Sequence, residues 1–535
     1  MPWSFFMGLT RQSLVDSLIA GASVLLVSLL ALSLGLRDEV RGDLVVQVLI
    51  AIKDFSVYFW GQDRYFSLVP LLLSWNHDPV LGLYLTSLLN ACAFFGVIYV
   101  LIAAVDGFLG QGTPASKGSA VKRLLLLIAL ALLVRLLWSH EETYFFVKDA
   151  SPFPLSLLLG LGSVALWLPL LKRSFTGISR GLVFWSVVFL VLTGLELAVA
   201  PTTLGTCVVL LLVSMLMSAD QQRQPFCWWV IACVGYILAS FGCWLLIQLA
   251  DRLLGVVRLA NYAAPARADW LTSMGSSWQV VLGERGGFWG LLVCLLIVVF
   301  SFALCCFSCS PRLGKALVAA QSLVWLYAFI VLFLFSRAAW VEANGFHFRY
   351  QYPLYVAWLF SAVVLLTLLS RDLHALWCFL SRARLRLVIA LLCLSLGFFA
   401  VVIRPLPLEA ASVRRSIPVL EFMGRRGFVA LAGNFWSVWP AYLAAISSPS
   451  LPDVESIAHR SSGNFLSHER LRSLVQGAAE RRQPFSVVCY EDSYESCVNQ
   501  VEHVIYSLPY TFEYAPSVQS GRPPGVTLLT VAVRS

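Results

Sequence analysis

Apolar runs long enough to cross a bilayer recur through the first three quarters of the chain, and no other property narrows its fold so far. They fall near residues 16–36, 79–105, 121–139, 153–171, 182–199, 201–217, 227–250, 288–308, 315–336, 351–370 and 386–403. A hydrocarbon core about 30 Å thick is crossed by roughly 20 helical residues, and a helix satisfies its own backbone there. The sequence therefore predicts a mainly α, polytopic transmembrane helical bundle of about 11 spans. Composition agrees, since 59% of the 535 residues are hydrophobic and 13% charged, against about 25% charged in soluble domains. The run at Asp16–Leu36 follows a weakly basic start and is long enough to span, so it reads as a signal anchor.

Loop charges orient the spans. Lys117, Lys122 and Arg123 share one loop, Lys172, Arg173 and Arg180 another, Arg312 and Lys315 a third, and Arg371, Arg382, Arg384 and Arg386 a fourth. These alternate with loops poorer in cations, as the positive-inside rule expects. The N-terminus is then cytoplasmic. The outer face carries Asp38 and Glu39, His140–Ser151, Asp251–Gly287, Arg337–Tyr350 and residues 404–535. The formal net charge of +9 resides in these short loops. It marks topology in a lipid bilayer, and nothing points to nucleic acid as a partner.

The tail differs in kind, and the domain division follows it: 1–403 in the membrane, with a first outer loop at 37–78, and 404–535 as a small extracytoplasmic α/β domain. Charges run throughout the tail, with turn signals at Ser447-Ser448-Pro449 and Arg522-Pro523-Pro524. Phe485–Cys489, His503–Tyr506 and Gly525–Val533 are short and β-branched or alternating, and read as strands. Residues 412–426 and 468–481 read as helices. Cys489 and Cys497 are the two cysteines of this domain; an oxidising compartment would favour their pairing. Cys305, Cys306 and Cys309 lack the paired spacing of a zinc site and read as small core residues.

The candidate chemistry gathers on the expected outer face. Asp38 and Glu39 follow directly on the first span. A carboxylate at a membrane surface is a solvated helix end in the plain reading, and a general base for a lipid-anchored substrate in the other. Neighbours on a helix point about 100° apart, so the pair would divide its roles. Next comes an amphipathic segment, flanked by Asp43 and Asp54, and an aromatic turn containing Trp60, Gly61, Gln62 and Arg64. Gly61 permits close backbone approach, and Gln62 and Arg64 supply donors. The loop from His140 adds Glu141 and Glu142, and a metal site could be drawn from Asp38, His140 and Glu141. Late in the chain, Arg349 and Tyr350 stand where a span begins. A cation at a helix N-terminus suits an anionic phosphate, and a snorkelling arginine is the plainer alternative.

Together these residues resemble the GT-C superfamily of polytopic glycosyltransferases, in its bacterial branch related to the protein mannosyltransferase and aminoarabinose transferase group. Asp38-Glu39, then Trp60-Gly61-Gln62, then Ser67-Leu68 match an opening pattern of that branch, with Phe66 where glycine is usual. Arg349-Tyr350 with Pro353-Leu354 resembles a late-span motif. Phe435-Trp436-Ser437-Val438-Trp439 resembles an Asp-Tyr-Trp motif, with Asn434 in the place of the aspartate. The resemblance implies a transferase moving a sugar, with inversion, from a polyprenyl-phosphate donor to a glycan, lipid or protein acceptor. Asp38 would be the base, and Arg349, Arg64 and Arg337 would stabilise the departing phosphate. It implies a bacterial inner membrane and a periplasmic tail. A possible divalent metal ion stays open, because some relatives use one and others do not.

Two other readings compete. A flippase or transporter for a lipid or polysaccharide would favour broken helices, internal repeats and mid-membrane charges; no repeat is visible, and Arg135 and Glu196 lie toward span ends. A polysaccharide polymerase or ligase would rely on arginines of a late outer loop, and Asp251–Gly287 carries Arg252, Arg258, Arg267 and Arg285.

Overall fold

The computed structural model describes residues 11–33, 40–52, 58–59, 62–109, 119–148, 152–174, 180–222, 226–253, 269–284, 288–307, 311–342, 347–370, 411–458, 465–517 and 520–534. In chain order, α1 (Arg11–Ser33) and α2 (Gly42–Ile52) precede a hairpin of β1 (Tyr58–Phe59) and β2 (Gln62–Phe66), then α3 (Leu68–Leu73), α4 (Pro79–Leu109) and α5 (Ser119–Leu137). A short α6 (His140–Thr143) runs into a π-helical turn, Tyr144–Lys148. Next come α7 (Pro152–Ser174), α8 (Arg180–Val199), a 3-10 turn at Pro201–Thr203, α9 (Leu204–Gln222), α10 (Phe226–Leu253) and α11 (Trp270–Glu284). They are followed by α12 (Phe288–Phe307), α13 (Pro311–Ser336), α14 (Ala339–Glu342), a 3-10 turn at Phe348–Gln351, and α15 (Tyr352–Leu369). The remainder alternates: α16 (Ala411–Arg426), β3 (Ala430–Gly433), α17 (Phe435–Ser447), β4 (Glu455–Ala458), α18 (Phe465–Glu480), β5 (Phe485–Tyr490), α19 (Tyr494–Ile505), β6 (Phe512–Ser517) and β7 (Val526–Val533). The chain falls into two compact units, Met1–Leu32 with Asn90–Phe399, and Ser33–Leu89 with Ala400–Ser535.

Ten of the eleven expected spans are helices here, and 386–403 lies outside the described residues. Among the described residues seven helices are long and apolar enough to cross a membrane: Val15–Ser33, Pro79–Leu109, Pro152–Leu171, Gly181–Val199, Trp228–Leu253, Leu313–Ser336 and Arg349–Leu369. Pro201–Met217 and Leu292–Phe307 are apolar but shorter. The remaining helix, α5, carries Lys122, Arg123 and Arg135. The protein is an integral membrane protein. Large apolar side chains such as Phe184, Leu238, Phe300 and Leu334 stand exposed on α8, α10, α12 and α13, as lipid-facing surfaces require.

Within the first unit α7 packs on α8, α9 on α13, and both α12 and α13 on α15. The last of these helices is buried along nearly its whole length. Pro353 fits its first turn, where an amide proton would have no partner in any case. Tyr352 pins the same end: its hydroxyl donates to Thr202 O at 2.8 Å and lies 3.1 Å from Thr206 Oγ1, and its ring stacks on Phe153 at 4.5 Å. Lys122 and Arg123 of α5 converge on Asp106 of α4, at 2.8 and 3.0 Å. Glu196, toward the end of α8, is wholly buried beside Cys207, Thr203 and Ser163.

The second unit contains a five-stranded sheet in the order β4-β3-β5-β7-β6. β3 lies parallel to both β4 and β5, while β7 runs antiparallel to β5 and β6. Period two divides its faces. Ala430, Ala432, Val487, Cys489, Leu529 and Val531 form one core with Leu471 and Val475 of α18 and Cys497, Val501, Val504 and Ile505 of α19. Leu431, Val488 and Leu528 are buried on the opposite face. Cys489 and Cys497 form a disulfide that ties β5 to α19.

The segment His503–Tyr506, expected as a strand, is instead the end of α19. Cys497, Val501, Val504 and Ile505 recur at helical spacing and face the sheet, so the short β-branched run is one turn of an amphipathic stripe. The segment expected to be amphipathic between Asp43 and Asp54 is also different: in α2, Leu44, Val45, Val46, Val48, Leu49 and Ile50 are wholly buried, and Asp43 and Gln47 are buried too. α2 packs against α17 and α3, and Ser412 Oγ of α16 donates to Val40 O at 2.8 Å just before it. Six fully buried aliphatic side chains represent on the order of 10 kcal/mol of transfer free energy.

Two tests address the second unit. Gly433 has φ +143, and a Cβ there would fall 2.1 Å from Tyr490 O. Gly433→Ala should destabilise by about 3 kcal/mol or more, read as a lower unfolding midpoint of this unit. Burial, with His503 and Arg472 nearby, pushes His468 down to about 4 from its ordinary 6.5. The fold therefore favours the neutral imidazole. Its stability should be complete above pH 6.5 and decline as pH falls toward 4, because the unfolded chain then binds the extra proton. The variant His468→Leu should show a flatter unfolding midpoint over that interval.

Candidate functional site

In the first unit the sequence builds a polar and aromatic cluster from two distant segments. Ser139 caps α6 through a reciprocal pair: its Oγ accepts from Glu142 N at 3.0 Å, and Glu142 Oε2 accepts from Ser139 N at 2.8 Å. This capping box is worth about 1 kcal/mol. It also fixes Glu142, which is wholly buried, with its second oxygen turned to α15, where it accepts from the Tyr355 hydroxyl. A buried carboxylate without partners would be costly; here both oxygens are engaged. Trp138 packs edge-on against Tyr355 at 5.1 Å, and Phe146 lies 4.7 Å from the same ring.

The π-helical turn that follows is buried throughout, Lys148 included. Asn90 of α4 donates to Lys148 O at 3.2 Å. Such turns place side chains off the regular helical register and recur at functional sites. Here the turn presents Phe145 to two residues of the later segment. His347 meets its ring edge-on at 4.6 Å, and the Arg349 guanidinium lies over it at 5.9 Å.

His347 links the two segments chemically. Its Nδ1 accepts from Arg349 N at 3.3 Å, so its proton belongs on Nε2. That Nε2 lies 4.0 Å from Glu141 Oε1. Arg349 donates through Nη2 to the Tyr350 hydroxyl at 2.8 Å and sits 4.9 Å above the Tyr350 ring. Stacked and hydrogen-bonded in this way, a half-buried guanidinium keeps its fork pre-organised. Tyr350 is buried against Val341, with Phe335, Ala338 and Val280 packed around them. Chemically the cluster offers a guanidinium able to hold an anionic oxygen, and an imidazole–carboxylate pair able to hold a hydroxyl proton.

Of the residues singled out in the sequence, Glu141, Arg349 and Tyr350 meet here. His140 opens α6 and is exposed, and Arg337 is exposed in the turn after α13, next to the Ala338 that packs on Tyr350. Asp38, Glu39 and Trp60 lie outside the described residues, and Gln62 and Arg64 lie on β2. Trp436 belongs to the second unit, in the first turn of α17. Asn434 Oδ1 caps that helix by accepting from Trp436 N at 2.9 Å, and the indole is 42% exposed. The aspartate position of the resembled motif thus works here as a helix cap. Among the described residues no group of three or more His, Cys, Asp or Glu side chains could hold a metal; of the trio drawn in the sequence, Asp38 lies outside them.

The sequence reading named Glu142 only as one acid of its loop and did not single out His347, Tyr355 or Lys148. The capping role of Glu142 was marked by the Ser-x-x-Glu pattern from Ser139 to Glu142. Lys148 was marked only by being a cation at the end of an apolar run. Nothing local marks Tyr355, whose role depends on a partner 213 residues away.

No family model matches the chain, and no curated protein matches it in sequence. Among solved structures it is similar to ArnT from Cupriavidus metallidurans bound to undecaprenyl phosphate, at 11% identity over 97% of this chain and 98% of that one, with a TM-score of 0.43. It is similar to the same protein in the apo state, at 11% identity over 95% and 97% and a TM-score of 0.41. It is also similar to the Archaeoglobus fulgidus oligosaccharyltransferase tethered with an acceptor peptide, at 10% identity over 96% and 75%, with a TM-score of 0.38.

Proposed function

We propose that the protein is a membrane glycosyltransferase of the GT-C type, moving a sugar from a polyprenyl-phosphate donor to an acceptor on the extracytoplasmic face of a bacterial inner membrane. The observation that carries the reading is the joining of the acid loop at 140–142 to Arg349 and Tyr350 within one cluster. The motif residues Asp38-Glu39, Trp60-Gly61-Gln62 and Ser67-Leu68 support it from the sequence. The Cys489–Cys497 disulfide supports an oxidising compartment, and hence a periplasmic position, for the C-terminal domain.

In this reading Asp38 takes the acceptor hydroxyl proton as the oxygen attacks the anomeric carbon, which gives inversion. Glu39 positions the loop. The phosphate leaves as an anion and needs little protonation, so cations do the greater part of the work. Arg349 is the best-organised of them, with Arg337 and Arg64 as further candidates. Tyr350 holds Arg349, while Gln62, His140 and Glu141 contact substrate hydroxyls. Trp60 and Trp436 offer aromatic faces to sugar or acceptor.

The test uses protein in nanodiscs with a panel of polyprenyl-phosphate sugars and a lipid extract as acceptor source, following loss of sugar from the donor by mass spectrometry. Asp38→Asn should lower turnover by about 10²–10⁴-fold, with Glu39→Gln much closer to wild type. Arg349→Ala should lower it by about 10²–10³-fold, and Arg349→Lys should recover only part, since an ammonium lacks the flat fork. A protein that binds the donor but never cleaves it would establish the flippase reading. Loss confined to Arg252, Arg258, Arg267 or Arg285 variants would establish the polymerase or ligase reading.

A further inference from the structure

The second unit holds an open cleft of about 680 Å³, lined by Glu491, Arg522, Gly525 and Thr527 among others. Its volume falls within the roughly 300–1,000 Å³ of small-molecule sites. Its place in the sheet is specific. From β3 the chain crosses through α17 to β4 on one side, and from β4 through α18 to β5 on the other. The carboxyl ends of β3 and β5 therefore flank a topological switch point, where ligands of open α/β sheets bind, and the cleft adjoins it, between the loop after β5 and the start of β7. Both loops leaving that point meet there. Ser437 of α17 donates to Glu491, Asn434 N donates to Tyr490 O at 3.1 Å, and Glu491 N donates to Gly525 O at 2.8 Å.

The loop after β5 is held rigid. The disulfide closes it from Cys489 to Cys497. Asp492 accepts from Ser493 N, Ser496 Oγ and Gln500 Nε2 at 2.8, 2.9 and 2.7 Å, and Gln500 Oε1 accepts from Gly433 N at 3.2 Å. Asp492 is thus spent on structure, which leaves Oε1 of Glu491, whose Oε2 accepts from Ser437, and the exposed Arg522 as the groups facing a ligand. Two carboxylates against one guanidinium disfavour a phosphate or other polyanion. A carboxylate that accepts and a guanidinium that donates suit vicinal hydroxyls, and the exposed Trp436 indole, outside the lining but next in the chain to the Ser437 that reaches Glu491, suits the apolar face of the same ring.

We infer that this cleft binds a neutral or amine-bearing sugar, with Glu491 and Arg522 as its polar contacts and Trp436 as its stacking face. Naming that sugar as part of the acceptor rests on the transferase reading; the binding itself does not. The test is saturation-transfer NMR on the full chain in nanodiscs without any donor, using a neutral disaccharide, glucosamine and glucose 6-phosphate as probes. Wild type should transfer magnetisation to the first two in preference to the phosphate. The variants Glu491→Gln and Trp436→Ala should lose at least five-fold of that signal, with an unchanged unfolding midpoint and an intact Cys489–Cys497 disulfide by mass spectrometry. No transfer at tens of millimolar sugar, a preference for glucose 6-phosphate, or equal transfer in both variants would overturn the proposal. Sugar binding in a protein that never turns over a donor would leave the cleft standing and sink the transferase reading alone.

Discussion

A chain in hydrocarbon has no water to meet its amide and carbonyl groups, and most features of the first unit follow from that constraint. Each span must close its own hydrogen bonds as a helix, so specificity is left to the few polar side chains inside. Those side chains are not scattered. Glu142, Tyr355, Tyr352 and Thr206 all bond between elements, and all bear on one end of α15. The helix buried on nearly every side is also the one whose first turn carries Tyr355 and which the 3-10 turn bearing Arg349 and Tyr350 leads into. A rigid, buried helix gives those groups fixed positions.

The fold was largely legible in the sequence because bilayer thickness converts directly into run length. Ten of the expected spans could be seen by hydropathy alone, even where Pro201 was the only break between two of them. The α/β tail was legible in part. Phe485–Cys489 and Gly525–Val533 declare themselves by β-branched alternation, whereas α17 is hidden in an apolar stretch that includes Pro440. The end of α19 was misread because four residues are too few to separate a period of two from one of 3.6.

The site was legible only where a residue type has one common use near a membrane. Arg349 stood out as a cation at a span's beginning, and Glu141 as an acid in a short loop. The residues that organise them did not. Glu142 works through a cap and a tyrosine far along the chain, and His347 through a single ring nitrogen facing each neighbour. These are relations between segments, and no window of sequence contains both partners. Trp436 is the reverse case: its motif was visible, but the structure gives Asn434 a helix-capping task that any capping residue could perform.

The composition of the second unit has a consequence for biogenesis. Its α2 helix comes from the beginning of the chain, yet it is covered by α17 from the end. During synthesis the ribosome must add the roughly 395 residues from the end of α2 at Ile52 to the end of α17 at Ser447 before that cover exists, an interval of about 20 to 80 s at typical rates of elongation. For that time a helix in which seven of eleven residues are valine, leucine or isoleucine has no protein partner from the tail. Maturation of this unit therefore waits on synthesis of the tail, however early its first helix is made.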